Sequence, residues 1–197
     1  MTKRIFDLLM STFGLLVLAP ILILLAIWIK IDSRGPIFFR QERVGRGGLI
    51  FRIHKFRTMV NDAESKGLQI TVGTDPRITR AGLRLRKYKL DELPQLIDVW
   101  VGSMSLVGPR PEVPRYVAFY PSSVRDVVLS LRPGITDKAS IEFKDENEIL
   151  GKSPDPHRAY VEEVLPIKLN YYVDYAKNHS VFGDIKLIIR TLLVLFR

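Results

Sequence analysis

The sequence predicts a mainly α-helical protein with one small β-hairpin, attached to a membrane through its N-terminus. Three patterns lead to this fold class. An uncharged apolar segment covers residues 8–29, and two runs rich in β-branched and aromatic residues, 37–44 and 49–56, are separated by glycines. Apolar residues then recur at helical spacing towards the C-terminus. At 197 residues the chain has room for a single domain with its own core beyond the membrane segment.

The first element is the apolar segment, which is long enough to enter a bilayer. The 22 residues from Leu8 to Ile29 carry no charge, and as a helix they would extend ~33 Å, enough to cross the hydrocarbon core. The segment exceeds the apolar region of a signal peptide, so we expect it to be retained. Ala19 and Pro20 lie near its middle. Because proline lacks an N–H and its ring crowds the preceding turn, we expect a break there.

Basic residues flank both ends of this segment, with Lys3 and Arg4 before it and Lys30 and Arg34 after it. Basic flanks prefer the cytoplasmic side of a membrane. This symmetry therefore favours a re-entrant helix-break-helix over residues 1–34, which enters and leaves on one face. A kinked helix that crosses the membrane fits the apolar length equally well, so the residues alone leave both topologies open.

The remaining residues, 35–197, are predicted to form one domain. Its β-hairpin pairs Ile37–Val44 with Leu49–Phe56 around a turn that contains Gly45, Gly47 and Gly48. Periodicity and proline positions then predict helices at Ile78–Lys89, Glu92–Val101, Pro114–Tyr120, Val124–Leu131 and Arg158–Lys177, the last of them kinked at Pro166.

The C-terminal element, Val181–Arg197, combines a broad apolar face with the basic residues Lys186, Arg190 and Arg197. A helix with this pattern is suited to lie in the membrane interface. A terminal helix that docks on the domain core would show the same pattern.

The charge balance indicates anionic partners. Thirty Lys and Arg against 21 Asp and Glu leave a net charge of +9 at pH 7, which is typical of proteins that bind nucleic acid, lipid headgroups or phosphorylated substrates. The basic residues are scattered and match no recognition motif, so we expect no nucleic-acid partner. The sequence contains no cysteine, which excludes thiol chemistry. The histidines His54, His157 and His179 lack metal-ligand spacing and are predicted to be structural.

The densest group of candidate catalytic residues lies at 84–95, where the adjacent acids Asp91 and Glu92 follow four bases. Because Pro94 fits only the first turn of a helix, Asp91 is predicted near the N-cap of that helix. Neighbouring helical residues point about 100° apart, so we expect different roles for the two acids. A carboxylate among cations stays ionised and can act as a nucleophile, a general base or a Mg²⁺ ligand. A helix cap followed by a first-turn charge would explain the same residues without catalysis.

Two arginines lie in proline-containing turns. Arg110 is placed between Pro109 and Pro111, and Arg132 precedes Pro133. A restricted backbone of this kind can present a guanidinium group for bidentate phosphate binding. A tight turn with a solvated arginine would explain the pattern as well.

Six motifs occur in order along the chain, at Phe39–Gly45, Lys55–Met59, Thr74–Arg80, Leu90–Leu96, Ser105–Pro111 and Arg132–Thr136. With these motifs the sequence resembles the bacterial sugar transferase family, the monotopic phosphoglycosyl transferases, over nearly its whole length. The resemblance is to the small members, which consist of a minimal catalytic unit. It implies a Mg²⁺-dependent enzyme that moves a phosphosugar from a UDP-sugar to undecaprenyl phosphate, releasing UMP and starting lipid-linked glycan assembly.

The resemblance also implies roles for particular residues. Asp91 would attack the β-phosphorus to form a phosphosugar-aspartyl intermediate and would lie at the metal site, and Glu92 would assist as a base or through the metal. Cationic side chains would bind the substrate phosphates, namely Lys55, Arg57, Arg86, Arg110 and Arg132. A proline-broken re-entrant helix is implied as well, so the hairpin topology becomes the preferred one. It places the catalytic domain on the cytoplasmic face of the bacterial inner membrane.

The sequence departs from the family pattern at several positions. Ala19-Pro20 stands where Ser-Pro is common, Asp137–Phe143 replaces a run that often begins with glycine, and Tyr172 stands at a position that is often acidic. The last two changes lie where we expect sugar recognition, so the donor sugar is not implied. The oligomeric state is left open, a homodimer included.

Two other functions are compatible with these features. The first is a non-catalytic, basic membrane-surface scaffold of a glycan-assembly complex, which would need the apolar segment and the basic faces but not the two acids. The second is an enzyme that uses a soluble acceptor and employs the membrane segment only as an anchor.

Overall fold

The structure is a computed structural model and describes residues 2–61, 63, 75–143 and 146–195. The helices are α1 (Thr2–Asp32), α2 (Arg80–Lys87), α3 (Gln95–Val101), α4 (Pro114–Val117), α5 (Ser122–Leu129), α6 (Lys138–Glu142), α7 (Glu146–Gly151), α8 (Pro156–Ala159), α9 (Leu165–Asn178) and α10 (Val181–Leu195). The strands are β1 (Phe38–Phe39), β2 (Glu42–Val44), β3 (Ile50–Arg52), β4 (Lys55–Phe56), β5 (Ser105–Val107) and β6 (Gly134–Thr136). The prediction of a mainly helical fold with a small hairpin is confirmed.

The hairpin consists of two short antiparallel ladders. Strands β2 and β3 pair Glu42 with Arg52, and β1 and β4 pair Phe38 with Phe56. Gly47 adopts a φ of 69° in the turn, a left-handed conformation that favours glycine. The hairpin therefore lies where the sequence predicts it, with its strands shortened by the non-paired residues between the ladders.

A third pairing, parallel between β5 and β6, is absent from the sequence prediction because each strand has only three residues. It brings the backbone of Gly134 against that of Gly108, and a Cβ on Gly134 would lie 2.1 Å from the Gly108 nitrogen. Glycine is therefore required at this crossing. The pairing places the two proline-containing turns, 109–111 and 132–133, side by side.

Helix α1 is the one helix of the described residues that is long and apolar enough to cross a membrane. It continues through Ala19 and Pro20 without interruption, so the expected division into two helices is not seen in the described residues. Its outer face is largely exposed, for example at Leu16, which is 72% exposed, and Leu24, which is 66% exposed.

Both ends of α1 are tied to the same domain. At the N-terminal end Arg4 donates to the carbonyl oxygen of Val99 at the end of α3, over 2.6 Å. At the C-terminal end a carboxylate oxygen of Asp32 accepts a hydrogen bond from the Ala81 amide at the start of α2, over 3.2 Å. The helix thus lies along the domain between these two contacts.

A buried ionic cluster reinforces the N-terminal contact. The Lys3 ammonium lies 2.5 Å from Asp184 at the start of α10, and Asp184 also accepts a hydrogen bond from the Tyr175 hydroxyl. Asp7 of α1 accepts a hydrogen bond from the Ser105 hydroxyl in β5. Because Asp7 and Asp184 are almost fully buried, this cluster joins α1, α9, α10 and β5 below the surface.

The main hydrophobic core lies between α4, α5 and α9, and includes Tyr116, Val128, Leu165, Leu169 and Tyr172. A smaller cluster of Ile29, Phe56 and Leu85 joins α1 to the hairpin and α2. The kink predicted at Pro166 corresponds to a π-helical turn, Tyr160–Val164, that directly precedes α9. A proline without an amide hydrogen cannot continue the regular bonding pattern, which accounts for the irregular turn.

Helix α10 has features of both alternatives that its sequence left open. Its Thr191 hydroxyl shares a hydrogen bond with Thr136 of β6, and Arg190 pairs with Glu142. Phe182 and Leu193 nevertheless remain 68% and 62% exposed. The helix is docked on one side and apolar on the outside; Phe196 and Arg197 of the predicted helix lie outside the described residues.

Candidate active site

The two acids lie in a short 3₁₀ turn, Leu90–Glu92, between α2 and α3. Lys89, with a left-handed φ of 53°, starts this turn. Helix α3 begins only at Gln95, with Pro94 at its N-cap position. Asp91, predicted near the N-cap of this helix, therefore lies three residues before the N-cap position, and the helix starts later than the predicted Glu92.

Glu92 is fastened between two cations from distant parts of the chain. The Lys55 ammonium of β4 lies 2.9 Å from Glu92 Oε1. Arg110, in the turn after β5, donates to both carboxylate oxygens, with Nη1 3.1 Å from Oε2. Burial opposes ionisation of Glu92, but the two cations outweigh it and hold the pKa of this carboxyl well below its usual range.

Asp91 has the opposite electrostatic situation although it is the adjacent residue. Its side chain is buried, and its Oδ1 has no hydrogen-bond partner among the described residues. Burial, followed by the negative charge of Glu92, raises the pKa of the Asp91 carboxyl, while Lys55 and Arg86 act in the other direction. The site therefore holds one carboxylate saturated by cations and one with an open oxygen.

Three of the five predicted cations are brought together around this pair. Lys55 and Arg110 bind Glu92 directly, and Arg86 of α2 contributes its charge to Asp91 from a largely buried position. The Arg86 Nε also donates to the Thr58 hydroxyl over 2.9 Å, which orients its guanidinium group. Burial lowers the pKa of Lys55, and the neighbouring Glu92 opposes that decrease.

The structure gives the other two predicted cations different contacts. Arg57 donates to the carbonyl oxygens of Pro36 and Ser33 and to the Ser33 hydroxyl, so it holds the segment that follows α1. The Nε of Arg132 donates to the carbonyl oxygen of Gly102 over 3.0 Å, at the end of α3. Among the described residues, neither arginine donates a hydrogen bond to Asp91 or Glu92, because their guanidinium groups are engaged in these other contacts.

Asp98, a buried aspartate that the sequence patterns did not indicate as a site residue, holds one of the strands of the site in place. Asp98 of α3 accepts hydrogen bonds from the backbone amide and the ring nitrogen Nδ1 of His54, both over 2.7 Å. His54 directly precedes Lys55, so this contact fixes the strand that carries the lysine. The prediction of a structural role for His54 is consistent with these contacts. Asp98 is the one acid within the otherwise apolar stretch 96–101, and that exception was the available signal.

A second polar group lies on the far side of Arg110. Asp137 caps α6 by accepting two hydrogen bonds from Ser140, and burial raises the pKa of its carboxyl. The Tyr172 hydroxyl is buried, has no hydrogen-bond partner among the described residues, and has its pKa raised by burial and then by Asp137. Arg110 therefore interacts electrostatically with Glu92 and, more weakly, with these two residues, which lie at positions where sugar recognition is expected.

The donor set is compatible with Mg²⁺ shared with a substrate. Within the described residues there is no cluster of three or more acids or histidines that could hold a metal alone. Magnesium is commonly held by one or two carboxylates together with substrate phosphates and water. The buried Oδ1 of Asp91, which has no hydrogen-bond partner among the described residues, could supply one such ligand, whereas both oxygens of Glu92 are taken by cations.

The fold and the site together define a protein that combines a helix long and apolar enough to cross a membrane with a buried carboxylate among cations, an arrangement typical of enzymes that act on phosphorylated substrates. The profile of the family described as "Bacterial sugar transferase" matches residues 1–197. The chain belongs to the bacterial sugar transferase family.

Curated relatives agree with this assignment. A "UDP-N-acetylgalactosamine-undecaprenyl-phosphate N-acetylgalactosaminephosphotransferase" of Aeromonas hydrophila is 34% identical over 195 residues, which cover 96% of this chain and 42% of that protein. An "Undecaprenyl-phosphate glucose phosphotransferase" of Komagataeibacter xylinus is 38% identical over 196 residues, covering 96% of this chain and 35% of that protein. The "Exopolysaccharide production protein PSS" of Rhizobium leguminosarum bv. phaseoli is 50% identical over 109 residues, covering 55% of this chain and 54% of that protein. The chain spans less than half the length of the first two.

Proposed function

We propose that this protein transfers a phosphosugar from a UDP-sugar to undecaprenyl phosphate through a covalent intermediate on Asp91. The observation that carries the proposal is the contrast between the two acids: Glu92 is saturated by Lys55 and Arg110, while Asp91 has a buried oxygen without a hydrogen-bond partner among the described residues. The named activities of the relatives, which use undecaprenyl phosphate with glucose or N-acetylgalactosamine donors, supply the reaction class. Because those donors differ, the sugar itself is not assigned.

In the first step a carboxylate oxygen of Asp91 attacks the β-phosphorus of the donor. The bond between this phosphorus and the bridging oxygen breaks, and UMP leaves with the electron pair. In the second step a phosphate oxygen of undecaprenyl phosphate attacks the same phosphorus, and the Asp91 carboxylate leaves unchanged. The product is an undecaprenyl diphosphate sugar, and no net proton, oxidant or reductant is required.

The surrounding cations make this attack feasible because an anion would otherwise be repelled by the diphosphate. Lys55, Arg86 and Arg110 offset that charge. Glu92, with its lowered pKa, is a weak proton acceptor, so we assign it the role of positioning Lys55 and Arg110 rather than that of a base. Mg²⁺, held by Asp91 and the donor phosphates, would add further charge neutralisation.

The same proposal includes a re-entrant attachment to the cytoplasmic face of the bacterial inner membrane. Both ends of α1 contact one domain, at Val99 and at Ala81, which supports an arrangement with both ends on the same side of the bilayer. Because α1 is continuous through Pro20 in the structure, re-entry also requires the helix to bend at this proline in the membrane. The exposed apolar face of α10 would lie in the interface beside it. Cysteines introduced at the N-terminus and after Lys30 should react alike with a membrane-impermeant label, and opposite accessibility would refute this topology.

The activity is tested with purified protein, Mg²⁺, a panel of UDP-sugars and undecaprenyl phosphate. We expect UMP release and a lipid-linked product with at least one donor. No UMP with any donor would favour the scaffold function, and UMP without a lipid product would favour a soluble acceptor.

The nucleophile is tested in the absence of acceptor. Incubation with the active donor should add the mass of a sugar phosphate to the peptide that contains Asp91. Asp91→Asn should lose both this adduct and turnover, because an amide cannot replace the carboxylate. Asp174→Asn, on the exposed side of α9, is the matched control and should keep both. An adduct on another residue, or normal turnover by Asp91→Asn, would end the assignment.

A further inference from the structure

An apolar groove runs between α1 and the domain, with a volume of ≈ 320 Å³. One wall is formed by α1, chiefly Ala19, Leu22 and Ala26, and the other by Phe56 of β4 and by Pro94 and Ile97 at α3. Its lining side chains are hydrocarbon. The groove is therefore unsuited to a nucleotide or a sugar, which need polar partners.

The inner wall of this groove is formed by the same short segments that carry the active-site residues. Phe56 directly follows Lys55, which binds Glu92. Pro94 is two residues beyond Glu92, and Leu90, which packs against the cluster containing Phe56, directly precedes Asp91. The same short segments thus present hydrocarbon to the groove and charge to the catalytic acids.

The groove and the adjoining charges complement a particular kind of ligand. Lys55 and Arg86 provide positive charge beside Asp91, and the groove formed by the neighbouring residues Phe56 and Pro94 provides a hydrocarbon surface. An amphiphile with a phosphate head and a hydrocarbon tail matches both parts. An apolar cavity of about 150 Å³ is enough to bind benzene, so the present groove has room for roughly two five-carbon units of a tail.

We propose that the groove between α1 and α3 binds the first isoprene units of the polyprenyl phosphate acceptor and guides its phosphate to Asp91. This inference rests on the proposed function, because it assigns a place to the acceptor of that reaction. It gives α1 a second role, since the helix that attaches the protein to the membrane also forms half of the acceptor site. An ordinary phospholipid acyl chain is the competing occupant.

Filling the groove tests this site. Ala26→Phe and, independently, Ala19→Phe place a ring in the groove, whereas Leu24→Phe adds a ring on the exposed face of the same helix. KM and kcat are measured with prenyl phosphates of five, ten and 55 carbons. We expect each groove variant to raise KM at least about tenfold for the two longer acceptors and to leave KM for the five-carbon acceptor nearly unchanged. Leu24→Phe should behave as wild type with all three.

The donor half-reaction separates this site from the rest of the active site. Formation of the covalent adduct from UDP-sugar needs no acceptor, so the groove variants should form it at the wild-type rate, which also shows that they are folded. Equal increases in KM for all three acceptors, or no increase for any, would overturn the assignment.

Photolabelling tests the site without turnover. A prenyl phosphate with a photoreactive group on its second isoprene unit should label peptides around Ala26 and Ile97, and Ala26→Phe should reduce the labelling. If the wild type shows this labelling but no UMP release with any donor, the proposed function fails while the groove assignment stands. Equal displacement of the probe by undecaprenyl phosphate and by an ordinary phospholipid would identify the groove as a general lipid contact and overturn the proposal.

Discussion

Replacing Glu92 by glutamine keeps the shape of the side chain and removes its charge. Glu92 accepts three charge-assisted hydrogen bonds, one from Lys55 and two from Arg110. Hydrogen bonds to charged groups contribute about 1 kcal/mol more than neutral ones. The three bonds together therefore predict a loss of about 3 kcal/mol, which agrees with the lower end of the 3–5 kcal/mol measured when one partner of a buried ion pair is removed.

We expect this loss to affect both folding and catalysis, because the two cations that Glu92 holds are also the proposed ligands of the substrate phosphates. Glu92→Gln should lower the free energy of unfolding by about 3 kcal/mol. An equal loss of transition-state stabilisation would decrease the rate roughly 100-fold. The rate of adduct formation from UDP-sugar should show that decrease. Glu92→Asp, which restores the charge, should recover a large part of both quantities.

The measurements are thermal or denaturant unfolding in detergent and single-turnover formation of the adduct. Glu162→Gln is the matched control: its pair with Arg158 is exposed, and surface pairs contribute about 0–1 kcal/mol. If Glu92→Gln forms the adduct normally and fails only in transfer to the lipid, Glu92 acts as a base in the second step and the positioning role is refuted. Unchanged stability would refute the energetic argument.

Three further predictions concern other parts of the structure. Because burial raises the pKa of Asp91 and the nucleophile must be ionised, adduct formation should decline on acidification with a midpoint above the ordinary aspartate range. Asp91→Asn should also raise the melting temperature at neutral pH, because a carboxyl group whose pKa is raised by folding destabilises the native state when it is ionised. Asp184→Asn should lower stability by roughly 2–3 kcal/mol in denaturant unfolding, since it removes the closer of the two buried carboxylates that pair with the partly exposed Lys3 and leaves only Asp7, at 3.7 Å. Gly82→Ala should destabilise the protein by at least about 2 kcal/mol despite the better helix propensity of alanine, because a Cβ there would lie 2.1 Å from the Thr58 carbonyl oxygen.

Each of these predictions has a control and a contradicting result. A midpoint within the ordinary range, or a lower melting temperature for Asp91→Asn, would contradict the electrostatics of the buried carboxylate. For Asp184 the control is Asp174→Asn, because the Asp174 side chain is exposed. Equal losses of stability in the two variants would show that the buried ion pair contributes no more to stability than an exposed carboxylate. For Gly82 the control is Gly14→Ala, where the nearest atom is a Leu96 methyl carbon at 3.2 Å; near-neutral effects of both would show that α2 can move away from Thr58.

Much of the fold was predictable because the responsible patterns are local. The uncharged run at 8–29, the glycine turn of the hairpin and the spacing of apolar residues all act between near neighbours in the chain. The short parallel pair β5–β6 and the late start of α3 were not predictable in this way. Ser105 pairs with Gly134, which lies 29 positions further along the chain, and no local pattern indicates such a partner.

The candidate site, like the fold, was only partly predictable from local sequence patterns. Sequence patterns alone selected Asp91 and Glu92, and motif order indicated their reaction class, because charge density and prolines are visible in a single stretch. Which cations surround them was decided by the tertiary structure: Lys55 and Arg110 meet Glu92, while Arg57 and Arg132 bind backbone carbonyls elsewhere. The opposite pKa shifts of two adjacent carboxyls and the groove beside them exist only in the folded chain, because burial and long-range charge contacts produce them.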